Sequence, residues 1–540
     1  MKAALAAAVL TLAVPGLGRH DPTSVGVGYI CAAEVHAPAR PALTIVKGMG
    51  SGGFRADTSS AEAQAWFDYG LQLYHAFYHD EAKTAFKRAA AADPDCALCA
   101  WGQALSLGPT LNFDISSEQL AQAHGLANQA AKLAKDDRTR ALAATLQARY
   151  APDQKPIQRE LAYGHALADL APQFPGNDDI ATLAAHALLT PARSNDFSGV
   201  KPAMALLEPI LKRDPNNTAA IHYYIHATEF AGHPELAVPY AEQLAKLAPE
   251  ASHLVHMGGH TLFRVGRYEE VAVLNAAAMK TDVEFSAGEG LKGPISGPRY
   301  YLHNTTFGLA GALMSGDRAL ALKYAEHVPL AFPAGSPADR RSTAMGRSYV
   351  ILGRFASDRA LAIPEAGNGE GYLAIMRHYA RGEAFARARD VAAVSREAEA
   401  VRAVKLLPTE VGSQNMQTVA SSVLDGRAAM LVGKPEAAAK AFQTAARLQE
   451  SVWSSIYDPP PWWYPVRRSV AAAELKAGHA EAAVKDAEAS LKAWPGDPLA
   501  LRVLARAERL LGKWSEASAD AGRSAHAWRG NAAMPGMDLI

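Results

Sequence analysis

Three histidine-rich strings hold most of the chemistry this chain could do: His222-Tyr223-Tyr224-Ile225-His226, His253-Leu254-Val255-His256-Met257-Gly258-Gly259-His260 and Tyr301-Leu302-His303-Asn304. Neutral imidazole is the commonest side-chain metal ligand, and three or four converging ring nitrogens suit Zn²⁺ or Cu²⁺. His222, His226, His253, His256, His260 and His303 are therefore candidate ligands, with a copper or zinc ion as the expected cofactor. His226, His256 and His260 form the expected centre of the site, completed by His222, His253 or His303. Glu229 lies one turn beyond His226 on roughly the same face, where it could be a ligand, a partner behind a ligand, or a base. Arg264, Tyr301 and Asn304 add polar groups to the candidate binding set. Three other readings stand beside metal binding. The imidazoles could contact a bound peptide, form a hydrogen-bonded ladder that only shapes the fold, or serve a metal-dependent enzyme acting on a small substrate.

The spacings say what must position these residues. His222 and His226 stand at i, i+4, and His253, His256 and His260 at i, i+3, i+7, so each set shares one face of a helix. The step from His222 to His256 equals the step from His226 to His260. Short glycine-marked corners recur along the chain at Gly232, Gly266, Gly316, Gly353, Gly433, Gly478 and Gly512. Gly232 to Gly266 and Gly478 to Gly512 repeat that same step, which is a helix-pair repeat length of about 34 residues. Counted back from Gly266 and Gly316, His253 and His303 are equivalent. The histidines thus occupy matching places in successive helices of a repeat.

The repeat has a recognisable form. Between Ala63 and Cys96 the chain places Trp66, Gly70, Ala82, Phe86, Ala89 and Pro94. Gly70 and Ala82 are small where two antiparallel helices must touch, Phe86 fills the gap, and Pro94 stops the second helix. This pattern, together with its period, resembles the tetratricopeptide repeat. The resemblance implies an all-α, right-handed solenoid of helix pairs whose first helices line a concave groove. All six histidines are then expected to face that groove, which would also be the seat of a protein or peptide partner. The histidine strings further resemble those of exported bacterial tetratricopeptide proteins. In those relatives the third segment typically reads His-Met-Pro-Ser-His, whereas here Gly258-Gly259 replaces Pro-Ser and removes a fixed backbone angle.

Composition narrows the function classes. The chain has 540 residues, 49% hydrophobic and only 8% aromatic, enough for a large, helix-favouring core. Lys+Arg and Asp+Glu are both 54, so no electrostatic footprint for nucleic acid is present. No P-loop, dinucleotide fingerprint, GxSxG or HExxH string occurs. Met1-Lys2 followed by the apolar run Ala3–Val14 reads as an export signal over residues 1–20, giving a periplasmic or secreted protein. No other run of ~18 apolar residues exists, so no transmembrane span is expected in the mature chain.

Residues 21–60 lack a period and are expected to be a linker. Helix-pair arrays are expected over 61–362 and 363–528, divided where Ile363-Pro364-Glu365 interrupts the helices, with a tail at 529–540. Two inserts lengthen the repeats, Ser286–Pro298 and Asp458–Pro465. The second carries Trp462, Trp463 and nearby Arg467, the residue types that binding hot spots use, and these are candidate partner contacts. The same loop could instead tuck its indoles against the solenoid. Cys96 and Cys99 form a CxxC with no following histidine, open to reading as a redox pair or disulfide, a copper(I) trap, or plain packing at a helix junction.

Overall fold

The computed structural model describes residues 43–111, 114–288, 300–328, 338–365, 371–453, 461–530 and 532–540. The expected export signal lies outside these residues. Among the described residues there are α-helices and short 3-10 turns but no strand. The helices run as pairs: α1 (Ala61–His75) with α2 (His79–Ala92), α3 (Ala97–Leu107) with α4 (Ser117–Leu133), and α5 (Asp137–Arg149) with α6 (Pro156–Leu170). Next come α7 (Asp178–Leu189) with α8 (Val200–Arg213), α9 (Thr218–Phe230) with α10 (Val238–Leu247), and α11 (Ser252–Arg264) with α12 (Tyr268–Gly288). Then follow α13 (Tyr301–Ser315) with α14 (Arg318–His327), α15 (Ala338–Phe355) with α16 (Ser357–Leu361), and α17 (Gly371–Ala388) with α18 (Val391–Ala403). The series ends with α19 (Val411–Leu431) and α20 (Pro435–Trp453), α21 (Arg467–Lys476) and α22 (Ala480–Ala493), and α23 (Pro498–Leu510) and α24 (Trp514–Ala527). This is an all-α solenoid of tetratricopeptide-type helix pairs.

The packing follows from residue size. Phe86 of α2 sits between α1 and α3, in the room left by Gly70 and Gly102; a Cβ on either glycine would collide with its ring. Six of the seven corner glycines adopt the left-handed conformation that the turn requires, Gly316 at φ 75° among them. Gly353 does not. It lies inside α15, where the missing Cβ lets the helix meet the backbone of Ala380.

First helices pack on first helices, so α9, α11 and α13 form a continuous ladder, and α1 returns to touch α9. The C-terminal repeats return as well. Arg529 and Gly530 donate backbone N–H bonds to Ser315 at 3.1 Å, and the Trp494 ring lies 5.7 Å from Phe263.

Several regions differ from expectation. Residues 43–60 are not a loose linker. Leu43 and Met49 are buried, Ser51 and Thr218 exchange hydrogen bonds at 2.6 and 3.0 Å, and Asp57 accepts from the N-terminal amides of α3 at 2.9 Å. The 529–540 segment is likewise held, with Met537 and Ile540 buried and Leu539 accepting from Arg354 at 3.1 Å. The core does not divide at 362/363, because α15 and α17 pack together across the Pro364 turn. One apolar cluster runs from Leu43 to Tyr300 and another from Leu262 to Ala473, so the two meet at α11. Cys96 and Cys99 form a disulfide at the start of α3.

Candidate metal centre

The site is built at that meeting point. α9 begins where Asn217 caps its first turn by accepting from the Ala220 amide, and it presents His222 and His226 on one face. α11 runs unbroken through Gly258-Gly259, so the missing proline leaves a regular helix. Both glycines make room. A Cβ on Gly258 would strike the carbonyl of Ala241 in α10, and one on Gly259 would lie 3.0 Å from the Asn275 amide nitrogen. α11 therefore packs tightly against α10 on one side and α12 on the other, where Asn275 reaches across to His256.

The structure gathers all six candidate histidines, in two groups. His222, His226 and His253 each offer a ring nitrogen, and the three nitrogens lie within 4.8 Å of one another. His256, His260 and His303 do the same. The groups abut: the ring centroids of His226 and His260 are 5.7 Å apart, and those of His253 and His256 are 5.9 Å apart. This differs from the expected single centre on His226, His256 and His260, because neighbouring helices bring those rings together across the boundary between two triads.

The partners behind the rings decide which nitrogens point inward. The His222 Nδ1–H donates to the His75 carbonyl at 2.6 Å. Asn275 donates its amide to the Val271 carbonyl at 2.8 Å, so its Oδ1 is an acceptor and the His256 Nδ1–H donates to it at 2.7 Å. The His260 Nδ1–H donates to Glu229 at 3.0 Å, while Arg264 donates to the other oxygen of that carboxylate at 3.1 Å. In each ring the proton is pinned at Nδ1 and Nε2 keeps its lone pair, as in a metal-ligating histidine. The Nε2 atoms of His226 and His256 are buried with no hydrogen-bond partner. With its own proton at Nδ1, His222 accepts at Nε2 from the His253 Nε2–H at 3.1 Å, which leaves the buried Nδ1 of His253 without a partner.

Electrostatics keep five of the six rings, His222, His226, His253, His256 and His303, in the ligating form. Burial lowers the His222 pKa to about 3, against the opposing pull of the His75 carbonyl. Burial, reinforced by neighbouring imidazoles, holds His226, His253, His256 and His303 well below the usual histidine range. Burial alone would raise Glu229, but His260 and Arg264 outweigh it and bring the carboxyl down to about 2.

The histidines do not line an open groove. They are between 0% and 7% exposed, because the solenoid returns on itself and α1 covers them. Phe77, at the α1–α2 corner, stands 4.5 Å from His222 and 5.1 Å from His253, centroid to centroid, and stacks at 6.1 Å on His226. Its φ of 62° is a left-handed conformation uncommon for so bulky a residue. On the other flank Phe307 stands 4.4 Å from His260 and 4.8 Å from His256.

The remaining candidates divide. Glu229 belongs to the site as the partner of His260, and Arg264 as the partner of Glu229. Asn304 donates to Ser252 at 3.1 Å, which ties α13 to α11. Tyr301 turns away and meets His327 at 3.4 Å. Trp462 and Trp463 are not surface contacts. They are 0% and 3% exposed, stacked at 4.6 Å on each other and packed against Tyr379. Arg467 is paired with Glu450 and Asp486. Sequence reasoning missed Asn275, Phe77 and the His75 carbonyl. Asn275 lies in α12 and Phe77 at the α1–α2 corner, both outside the histidine strings, and a backbone carbonyl carries no sequence signal.

No protein-family model and no curated protein matches the chain. Among solved structures, human IFIT1 as a dimer with m7Gppp-AAAA is 11% identical over 87% of this chain and 91% of its own, with a TM-score of 0.30. The TPR domain of P58(IPK) is 14% identical over 84% and 99%, with a TM-score of 0.24. Naa15/Naa10 bound to HypK-THB is 13% identical over 87% and 89%, with a TM-score of 0.23.

Proposed function

We propose that this chain is an exported tetratricopeptide-type protein that binds a transition-metal ion, copper or zinc, through its buried imidazoles. One observation carries the reading: His222, His256 and His260 each have Nδ1 engaged by an acceptor, so that Nε2 is left with its lone pair inside a cluster of ring nitrogens. Six imidazole donors with no cysteine among them suit zinc and copper(II) better than hard cations such as Mg²⁺. The Cys96–Cys99 disulfide fits an oxidising compartment outside the cytosol.

Peptide recognition by the histidines is less well supported, because rings at most 7% exposed offer nothing to an incoming chain. A metal-dependent activity would need an open coordination position, which a three-imidazole set leaves free on a tetrahedral ion.

The test is metal content. Untagged protein purified without a metal column should carry zinc or copper, or take it up on reconstitution. The His226→Ala/His260→Ala variant, which removes one ligand from each triad, should lose it. Wild type free of metal after reconstitution with both ions would overturn the proposal.

A further inference from the structure

We infer that the cluster is two metal sites, not one, generated by the repeat itself and holding their ions as a neighbouring pair. This rests on the metal-binding reading above. The first triad takes His222 and His226 from α9 and His253 from α11; the second takes His256 and His260 from α11 and His303 from α13. A shift of one repeat converts one triad into the other. His222 and His226 move by the same step to His256 and His260, and His253 and His303 stand equally far before their corner glycines, Gly266 and Gly316. Each site is thus one instance of the same construction: two imidazoles one turn apart on a first helix, and a third from the start of the next first helix.

The same rule says where the ladder stops. A site before the first would need a histidine at the matching place ahead of Gly232, and that position is Ala219. A site after the second would need histidines in α13 at the places taken by Thr306 and Ala310. Two ions per chain follow. Ring contacts of His226 with His260 and of His253 with His256 make the sites share a wall, so each ion acts on the other.

The sites are equivalent in ligands but not in what stands behind them. Behind the second are the Asn275 side chain and the Glu229 carboxylate, itself paired with Arg264, which orient two of its rings, His256 and His260. Behind the first is the His75 carbonyl on His222. The His256/His260/His303 site therefore fills first. The second ion enters against the charge of the first and binds more weakly.

The experiment is a Cu²⁺ titration of untagged, chelator-treated full chain. Bound metal is counted after dialysis, and electron paramagnetic resonance spectra are taken at one and two equivalents. Wild type should take two ions, with an isolated signal at the first equivalent and dipolar broadening at the second. His253→Gln and His303→Gln, which change matching positions of the two triads, should each bind one ion with an isolated signal. His303→Gln should lose the tighter of the two. Thermal melts of the metal-free variants check folding, and the wild-type count and spectra stand without any variant. One ion per chain in wild type, lost equally in both variants, would overturn the paired-site inference and leave metal binding intact. No ion in wild type would overturn both.

Discussion

Glu229→Gln isolates what the carboxylate behind His260 does for the metal. The two Glu229 oxygens face two donors, the His260 Nδ1–H at 3.0 Å and the Arg264 Nε–H at 3.1 Å. Its pKa near 2 means that the group is ionised throughout the neutral range. Glutamine keeps the shape but offers one oxygen and one NH₂. If the oxygen turns to Arg264, the NH₂ faces Nδ1 of His260, and the ring must move its proton to Nε2 to avoid opposed donors. A ring protonated at Nε2 cannot ligate through that atom. If the oxygen turns to His260, the tautomer survives but the charge is gone and the amide meets Arg264. Either way a charge-assisted hydrogen bond worth about 1.5–3 kcal/mol is lost. That agrees with the ten- to hundredfold loss of affinity typical when a partner behind a metal-bound histidine is removed.

The assay is competition of the full chain against a chromophoric chelator for zinc at pH 7.5, with circular dichroism melts of the metal-free forms. Glu397→Gln is the control. Glu397 makes a comparable carboxylate–histidine contact with His378, at 2.6 Å, outside the cluster, and its loss should leave metal affinity unchanged. A Glu229→Gln protein that binds as tightly as wild type at both steps would refute the reasoning. The carboxylate would then be a structural ion-pair partner with no hold on the ligand.

Two further outcomes follow from burial. The metal-free protein should lose stability as pH falls below about 6.5, because the unfolded chain then protonates histidines that the fold keeps neutral. The sign is set by folded pKa values lying below the unfolded value: the contribution is complete above the unfolded pKa and is lost on acidification towards the folded one, about 3 for His222. The slope is at most about 1.4 kcal/mol per pH unit for each such ring; urea midpoints at pH 8, 6 and 5 measure it, and equal midpoints would contradict it. Phe77→Gly should strip the cover from the first triad. Losing the ring costs about 3–5 kcal/mol, partly offset by about 1–3 kcal/mol of relieved backbone strain. Stopped-flow transfer of metal to EDTA should quicken while the metal content of the folded protein holds; an unchanged rate would mean that Phe77 does not control access.

The repeat made much of this site legible. The constant repeat interval marks His222 with His256 and His226 with His260 as equivalent, and a helical face is a local property that spacing reports. What covers that face is not local. Phe77 and the His75 carbonyl come from α1 and the corner after it, far before His222 in the chain, and they reach the site because the solenoid closes on itself. Asn275 is an ordinary asparagine in sequence; only the space beside Gly259 makes it the partner of His256. The same limit applied to Trp462 and Trp463. A Pro-Trp-Trp string has the composition of a hot spot, and only the pocket beside Tyr379 shows that it is core. Residues 43–60 have no period because they form a strap across helix ends, held by single side-chain contacts such as Ser51 with Thr218.

The energetics of the metal-free cluster bear on why these residues are histidines. A core position at 0% exposure, such as His222 or His256, is ordinarily best filled by leucine or phenylalanine. Here the fold encloses imidazoles whose nitrogens at His226 and His256 have no partner. A buried unsatisfied polar atom costs about 1–3 kcal/mol. A ladder kept only for shape would satisfy those atoms with one another or would do without them. A cluster that ligates a metal must instead leave lone pairs unspent in the empty state, and binding then offsets their cost through linkage to folding. The pinned Nδ1 protons have the same logic. They order the rings in advance, so the ion meets nitrogens already aimed. The instability of the empty cluster and its affinity for metal are thus two consequences of one arrangement.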